Sequence, residues 1–298
     1  MTAPRHLVRK EGEAAFVPVS PGLRRWSIVD EDGGAVHTGF GICELEPGAE
    51  LATRVQSFED SFYVLSGAPV LQTAGLATVL RPGDYGLLPV GVAHSWRNES
   101  GEPARWAQML APQPRTRYGG DTVAVPALAR TEPSTVDPRD PRTRAFGHIE
   151  PENMEVDKQS QDRLALSASM RTALLVYSGI TVKMMVDGDL GARLSTMFMV
   201  QYAPDGVAGP HDHPFEETYL FLSGRAEGTF DGQSYELGPG DVAFAGVGCV
   251  HGFRNLGSGP LRWLETQAPQ PPSRHSYRFV RDWDYLRSVT EPSTEEGH

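Results

Sequence analysis

The chain has 298 residues, 39% of them hydrophobic and 22% charged, and a net charge of −11. The length allows two ordinary domains with their own cores, and the acidic balance argues against nucleic acid or an anionic membrane as a partner, since both select clustered Lys and Arg. No run approaches the roughly 18 apolar residues of a membrane helix, the N-terminus lacks a secretion-signal core, and two cysteines, Cys43 and Cys249, make no disulfide framework, so a cytoplasmic location is expected.

The 32 glycines and 24 prolines fit many short strands joined by tight turns. Ala15–Val19 reads as a short strand, and Leu23–Asp30 and Gly39–Leu45 open a first sheet. Residues 115–165 have a loop composition, with Pro126, Pro133, Pro138 and Pro141 among Thr, Ser, Asp and Arg, and a short helical turn is expected after Glu150. A connection that long often crosses between domains or covers an entrance. Ala173–Tyr177, Thr181–Val186 and the strongly apolar Leu194–Ala203 read as strands of a second sheet, and the last residues as a disordered tail.

A shift of 157 residues lays 54–114 over 211–271 without a gap. Leu65-Ser-Gly67 meets Leu222-Ser-Gly224, Pro82-Gly-Asp84 meets Pro239-Gly-Asp241, His94 meets His251, and Ala111-Pro-Gln-Pro114 meets Ala268-Pro-Gln-Pro271. A match of this length is an internal duplication. The expected division is a first barrel at 1–118, a linker at 119–170, a second barrel at 171–290 and a flexible tail at 291–298.

The copies differ in the residues that carry chemistry. In the second, His211 and His213 sit two apart and project to one face of a strand, Glu217 follows four later, and His251 enters from a later strand. Four such donors converge only inside a curled or closed sheet. Three neutral imidazoles and a carboxylate suit one divalent first-row metal such as Mn, Fe, Ni, Co or Zn, and the ligand set alone does not choose among them. In the first copy these positions are Arg54, Gln56, Asp60 and His94. Arginine is no ligand at neutral pH and repels a divalent ion, so this copy is expected to hold no metal. Its four residues are read as structural, with binding of a small acid or capping of a partner site as the alternative.

Strand alternation from Glu217 turns Tyr219 and Phe221 inward, and Phe253 follows His251 in the same way. Glu217 and Tyr219 are the candidate catalytic residues. Phe221, Phe253, Met199, Gln201 and Trp263 are the candidate substrate-binding residues, although the loop at 203–210 breaks the phase of the strand that carries Met199 and Gln201. An apolar, aromatic wall suits a substrate that meets the metal through one or two oxygens.

The pattern His-x-His, three residues, Glu, six residues, Gly is met by His211, His213, Glu217 and Gly224. The pattern Gly, five residues, Pro-x-Gly, two residues, His, three residues, Asn is met by Gly240, Gly248, His251 and Asn255, with Gly246 where proline is usual. Together they resemble the two motifs of the cupin superfamily. The resemblance implies an all-β chain of two tandem double-stranded β-helix (jelly-roll) barrels, a bicupin. The ligand set resembles cupin dioxygenases and oxalate-degrading cupins, which implies Mn or Fe, with Ni or Cu as alternatives, and a dioxygenase acting on a small aromatic, enol or dicarbonyl compound. The architecture is similar to ureidoglycine aminohydrolases, which implies instead a non-redox hydrolase, isomerase or lyase. A non-catalytic small-molecule-binding bicupin is the third reading. Cupin barrels often pair by their edges, so a homodimer is also compatible.

Overall fold

The computed structural model describes residues 5–137, 139–155, 171–175, 179–270 and 278–279. The tail at 291–298 and residues 156–170 of the linker lie outside the described residues.

Two barrels are built almost entirely of strands. The first has a seven-stranded sheet in the order Phe146–His148, Asp84–Leu88, Glu59–Ser66, Ala104–Ala111, Gly39–Leu45, Leu23–Val29, Val17–Ser20. A four-stranded sheet (Ser95–Arg97, Val70–Thr73, Leu76–Val79, Pro133–Thr135) and the pair Arg54–Gln56 with Thr122–Ala124 complete it. The second has the matching seven strands His6–Arg9, Val242–Ala245, Glu216–Ser223, Leu261–Ala268, Thr196–Tyr202, Ile180–Val186 and Arg171–Leu175. Its five-stranded sheet runs Gln233–Leu237, Ala226–Phe230, His251–Asn255, Val207–Asp212, Arg278–Phe279.

The apolar residues fall into three cores. Leu45, Phe62, Trp96 and Trp106 fill the first barrel, and Tyr202, Tyr219, Phe221, Phe253 and Trp263 fill the second. A third cluster joins Phe40, Tyr85, Ala107 and Met109 to Met197, Met199, Leu220 and Leu264, so the two large sheets pack against each other. That explains why Gly39–Leu45 is buried at every residue: one face looks into its barrel, the other into the neighbour.

The barrels also exchange a reciprocal clamp. The buried Glu59 carboxylate accepts the backbone N–H groups of Arg193, Leu194 and Ser195 at 2.7–3.2 Å. The buried Glu216 carboxylate accepts those of Val36, His37 and Thr38 at 2.6–2.9 Å. Under the 157-residue shift the two sets are images of each other, so the duplication carries a two-fold relation into the interface.

The segments flanking the barrels are part of them. Residues 6–9 pair with the second barrel, His6 opposite Ala245 and Arg9 opposite Val242. Gly246 stands there in place of the motif's usual proline because its N–H donates to Arg5 O at 2.7 Å, and an added Cβ would lie 2.9 Å from that oxygen. Proline could offer neither the donor nor the space. In the first barrel the stretch read as a linker does the equivalent work: Phe146–His148 pairs with Asp84–Gly86, and His148 Nδ1 lies 2.7 Å from Asp84 Oδ1. At the image of Asp84, Asp241 instead takes Lys10 Nζ at 2.7 Å and the Glu11 N–H at 2.9 Å. Among the described residues, no helix is long and apolar enough to cross a membrane.

Candidate metal centre

The strand Val207–Asp212 runs antiparallel to His251–Asn255 and places His211 opposite His251. His213 follows where that strand ends, and Glu217 is the second residue of Glu216–Ser223 in the large sheet. One ligand atom from each of His211, His213 and His251 lies within 4.8 Å of the others, and all three residues are buried. Glu217 Oε2 lies 2.7 Å from His213 Nε2 and 3.3 Å from His251 Nε2.

Each ring is locked by its other nitrogen. His211 Nδ1 is 2.8 Å from Gly209 O, His213 Nδ1 is 2.8 Å from Phe215 O, and His251 Nδ1 is 2.9 Å from Cys249 O. A carbonyl only accepts, so each Nδ1 carries a proton and each Nε2 is left facing the shared space. The Phe215 ring stacks on His213 at 3.9 Å and fixes its plane. Gln267 Nε2 donates to Glu217 Oε1 at 2.5 Å, and Tyr219 Oη donates to Glu217 Oε2. This donor set fits a divalent transition metal: three imidazoles oriented through their Nδ1 atoms and a carboxylate steadied by neighbours.

The local electrostatics point the same way. Burial works to raise the Glu217 carboxyl, but the His213 and His251 imidazoles outweigh it and hold it well below the usual carboxylate range. Burial, helped by His251, pulls the His211 imidazole down to about 4, which keeps it neutral. Burial and the adjacent Glu217 charge push the Glu265 carboxyl well above its ordinary range and hold the Tyr219 phenol protonated.

Tyr219, Phe221, Phe253 and Trp263 pack as one aromatic group, with Tyr219–Phe253 at 4.7 Å, Phe253–Trp263 at 5.0 Å and Phe221–Trp263 at 5.5 Å between ring centres. Met199 and Gln201 do not join them, and their expected substrate role is corrected. Met199 lies in the core between the barrels, and Gln201 bonds to Arg262 and to Met154 O. The opposite phase, Phe198, Val200 and Tyr202, faces the second barrel's interior. Glu265 shares a strand face with Trp263 by alternation, but Gln267 was not among the expected site residues. The same alternation carried two residues further along Leu261–Ala268 is the signal that would have found it.

The first barrel repeats the backbone of the site with other side chains. Arg54 stands opposite His94 as His211 does opposite His251. Gly91 N–H donates to Gln56 O at 2.8 Å as Gly248 N–H donates to His213 O at 3.0 Å. His94 Nδ1 meets Val92 O at 2.9 Å, the image of the His251 lock. Asp60 replaces Glu217 and accepts from Gln108 Nε2 at 2.7 Å. Among the described residues, the clusters able to hold a metal include none of these four.

Comparison with known proteins gives three findings. The Cupin domain family model matches twice, at residues 41–110 and 198–266. Dimethylsulfoniopropionate lyase DddQ of Ruegeria pomeroyi is 33% identical over 147 residues, which are 49% of this chain and 69% of that protein. In fold the chain is similar to the oxalate decarboxylase formate complex of Lactobacillus farciminis (TM-score 0.62, 16% identity, 96% of this chain and 94% of that one). It is also similar to AerE of Microcystis aeruginosa (TM-score 0.57, 14% identity, 86% and 96%).

Proposed function

The chain belongs to the cupin superfamily as a two-barrel member, and from that premise we propose that its second barrel is a metal-dependent enzyme of lyase type acting on a small carboxylate. One observation carries the reading: the Tyr219 phenol is bonded to the Glu217 carboxylate beside three oriented imidazoles. That is a proton donor and acceptor pair placed next to a Lewis-acid position.

A divalent ion held by His211, His213, His251 and Glu217, Mn or Fe by preference, would polarise a substrate oxygen and acidify the adjoining carbon. The Glu217–Tyr219 pair takes the proton from that carbon. The freed electron pair becomes the new double bond, and the leaving group departs from the next carbon with its bonding pair. Phe221, Phe253 and Trp263 keep water away and accommodate the apolar part of the substrate. Two relatives support the class: dimethylsulfoniopropionate and oxalate, named for the lyase and the decarboxylase, are both small carboxylates.

A dioxygenase is the second reading, favoured by the aromatic wall around the imidazoles. The test loads metal-free protein with Mn(II) or Fe(II). It follows alkene formation and oxygen uptake with β-substituted carboxylates, dimethylsulfoniopropionate among them, and with enols and β-diketones. Alkene release under argon is the expected result. Product that appears only with equimolar oxygen uptake replaces the lyase by the dioxygenase. Tyr219→Phe should retain the metal and lose roughly 10²–10⁴-fold in kcat, the range for one acid–base group. Unchanged kcat removes Tyr219 from the mechanism.

A further inference from the structure

In the first barrel the positions matching His211, Glu217 and His251 are Arg54, Asp60 and His94. Each carries a buried polar atom without a hydrogen-bond partner, Arg54 Nε, Asp60 Oδ1 and His94 Nε2, and Arg54 stands opposite His94 as His211 does opposite His251. Buried polar atoms are nearly always satisfied, and three at one place call for an occupant. Arg54 rules out a cation.

The surroundings have been rebuilt toward positive charge. Arg25 occupies the position of Val182, and Gly41 that of Phe198; strand register fixes both matches, Arg25 opposite Cys43 as Val182 is opposite Val200. The exchange at Gly41 is what admits the arginine, since a Cβ there would lie 2.8 Å from the Arg25 guanidinium. Arg25 Nε donates to Gln108 Oε1 at 3.3 Å, and Gln108 donates in turn to Asp60. Arg25 is thus linked to the buried Asp60 carboxyl through Gln108, and Arg54 lies near enough to favour that carboxyl's charged form. Burial pushes that carboxyl up to about 7 in spite of them, and holds His94 down at about 4, uncharged. Both arginines are half-buried, and Arg25 also donates to Ser27 Oγ at 3.0 Å, so the barrel sets two fixed cations beside an otherwise apolar interior.

We propose that the first barrel is a binding site for a small carboxylate anion, held by Arg54 and Arg25, with Asp60 and His94 meeting any hydroxyl or acid proton the ligand carries. Guanidinium groups favour this ligand because their paired N–H donors match a carboxylate's two oxygens. The inference does not rest on the lyase reading, because no second-barrel residue enters it.

The test is calorimetric titration of acetate, lactate and malonate at constant ionic strength. It is run on the wild type and on His251→Ala, which removes competition from the second barrel. Saturable binding of one equivalent per chain is expected in His251→Ala, and at least one in the wild type. Arg54→Met should weaken it at least 30-fold while leaving the metal content of the wild-type second barrel unchanged, and that unchanged content reports an intact fold. If Arg54→Met unfolds, Arg25→Met with the same readout replaces it. Equal affinity in the arginine variant, binding lost with His251→Ala, or no saturable binding of any of the three acids overturns the proposal.

Discussion

The two barrels have the same scaffold and different interiors. Gly67 and Gly224 both take positive φ, and at both a Cβ would come within 2.7 Å of the next strand's backbone. Asn98 and Asn255 both close their turns by donating to carbonyls, of Leu45 and Glu102 in one and Ala203 and Gly259 in the other. His94 and His251 are locked alike. Turn and strand residues thus hold the barrel regardless of its chemistry, and a few inward side chains decide what it can bind. A site can be exchanged without disturbing the fold because its residues project into the interior and take no part in the ladder.

The largest effect that would break this contrast is on metal content. His251→Ala should take the chain from about one bound transition ion to essentially none, with loss of activity, whereas His94→Ala should leave the ion in place. Elemental analysis after gel filtration reads both. A halved metal content in His94→Ala would mean that the first barrel also binds an ion, and the contrast would fail.

How much of this was legible in the sequence follows from where each signal lives. The histidine cluster was readable because its spacing is local and alternation is a property of any strand. The phase of Thr196–Tyr202 was not, because all but one of its residues are buried. A strand covered on both faces has no polar side to mark its inward one, so Met199 and Gln201 could not be told from Phe198 and Val200. The pairing of His6–Arg9 with Val242–Ala245 was hidden for another reason. It joins segments more than 200 residues apart, and only Gly246, in place of proline, hinted that a chain passes there. The Glu59 and Glu216 clamps look like ordinary Phe-Glu repeats until the partner loops are seen.

Those clamps set the next effect. Glu59→Ala leaves a row of buried N–H groups, at Arg193, Leu194 and Ser195, without their acceptor. At about 1–3 kcal/mol per orphaned donor, partly relieved by relaxation, the loss should be about 3 kcal/mol, or roughly 10 °C in Tm. Glu216→Ala should cost the same within about 1 kcal/mol, since its donors at Val36, His37 and Thr38 are the image set. Calorimetry of the two variants sharpens the comparison: a large inequality would show that one barrel dominates the interface.

The smallest effect concerns pH and separates two residues that mask each other. Asp60 is a fully buried acid whose pKa is raised to about 7, by burial first, against relief from Gln108, Arg54 and Arg25. The folded state holds its proton more tightly than the unfolded chain, so its contribution is present below pH about 4 and is lost as pH rises through about 7. His94 is lowered to about 4, by burial first and then by Arg54 against the Val92 carbonyl. Its contribution is present above pH about 6.5 and is lost as pH falls through about 4. Between pH 4 and 6.5 the slopes oppose each other, each of magnitude about 1.4 kcal/mol per pH unit at most, so the wild type should show little net dependence from this pair. His94→Gln should expose the Asp60 slope, with stability falling as pH rises from 4 toward 7 relative to wild type. Asp60→Asn should expose the opposite slope over 4 to 6.5. Urea midpoints at half-unit pH intervals, taken as differences from wild type, cancel the contribution of the second barrel's histidines. Parallel curves for all three proteins would mean that neither group titrates differently on folding, and that the first barrel's interior is as open to water as the unfolded chain.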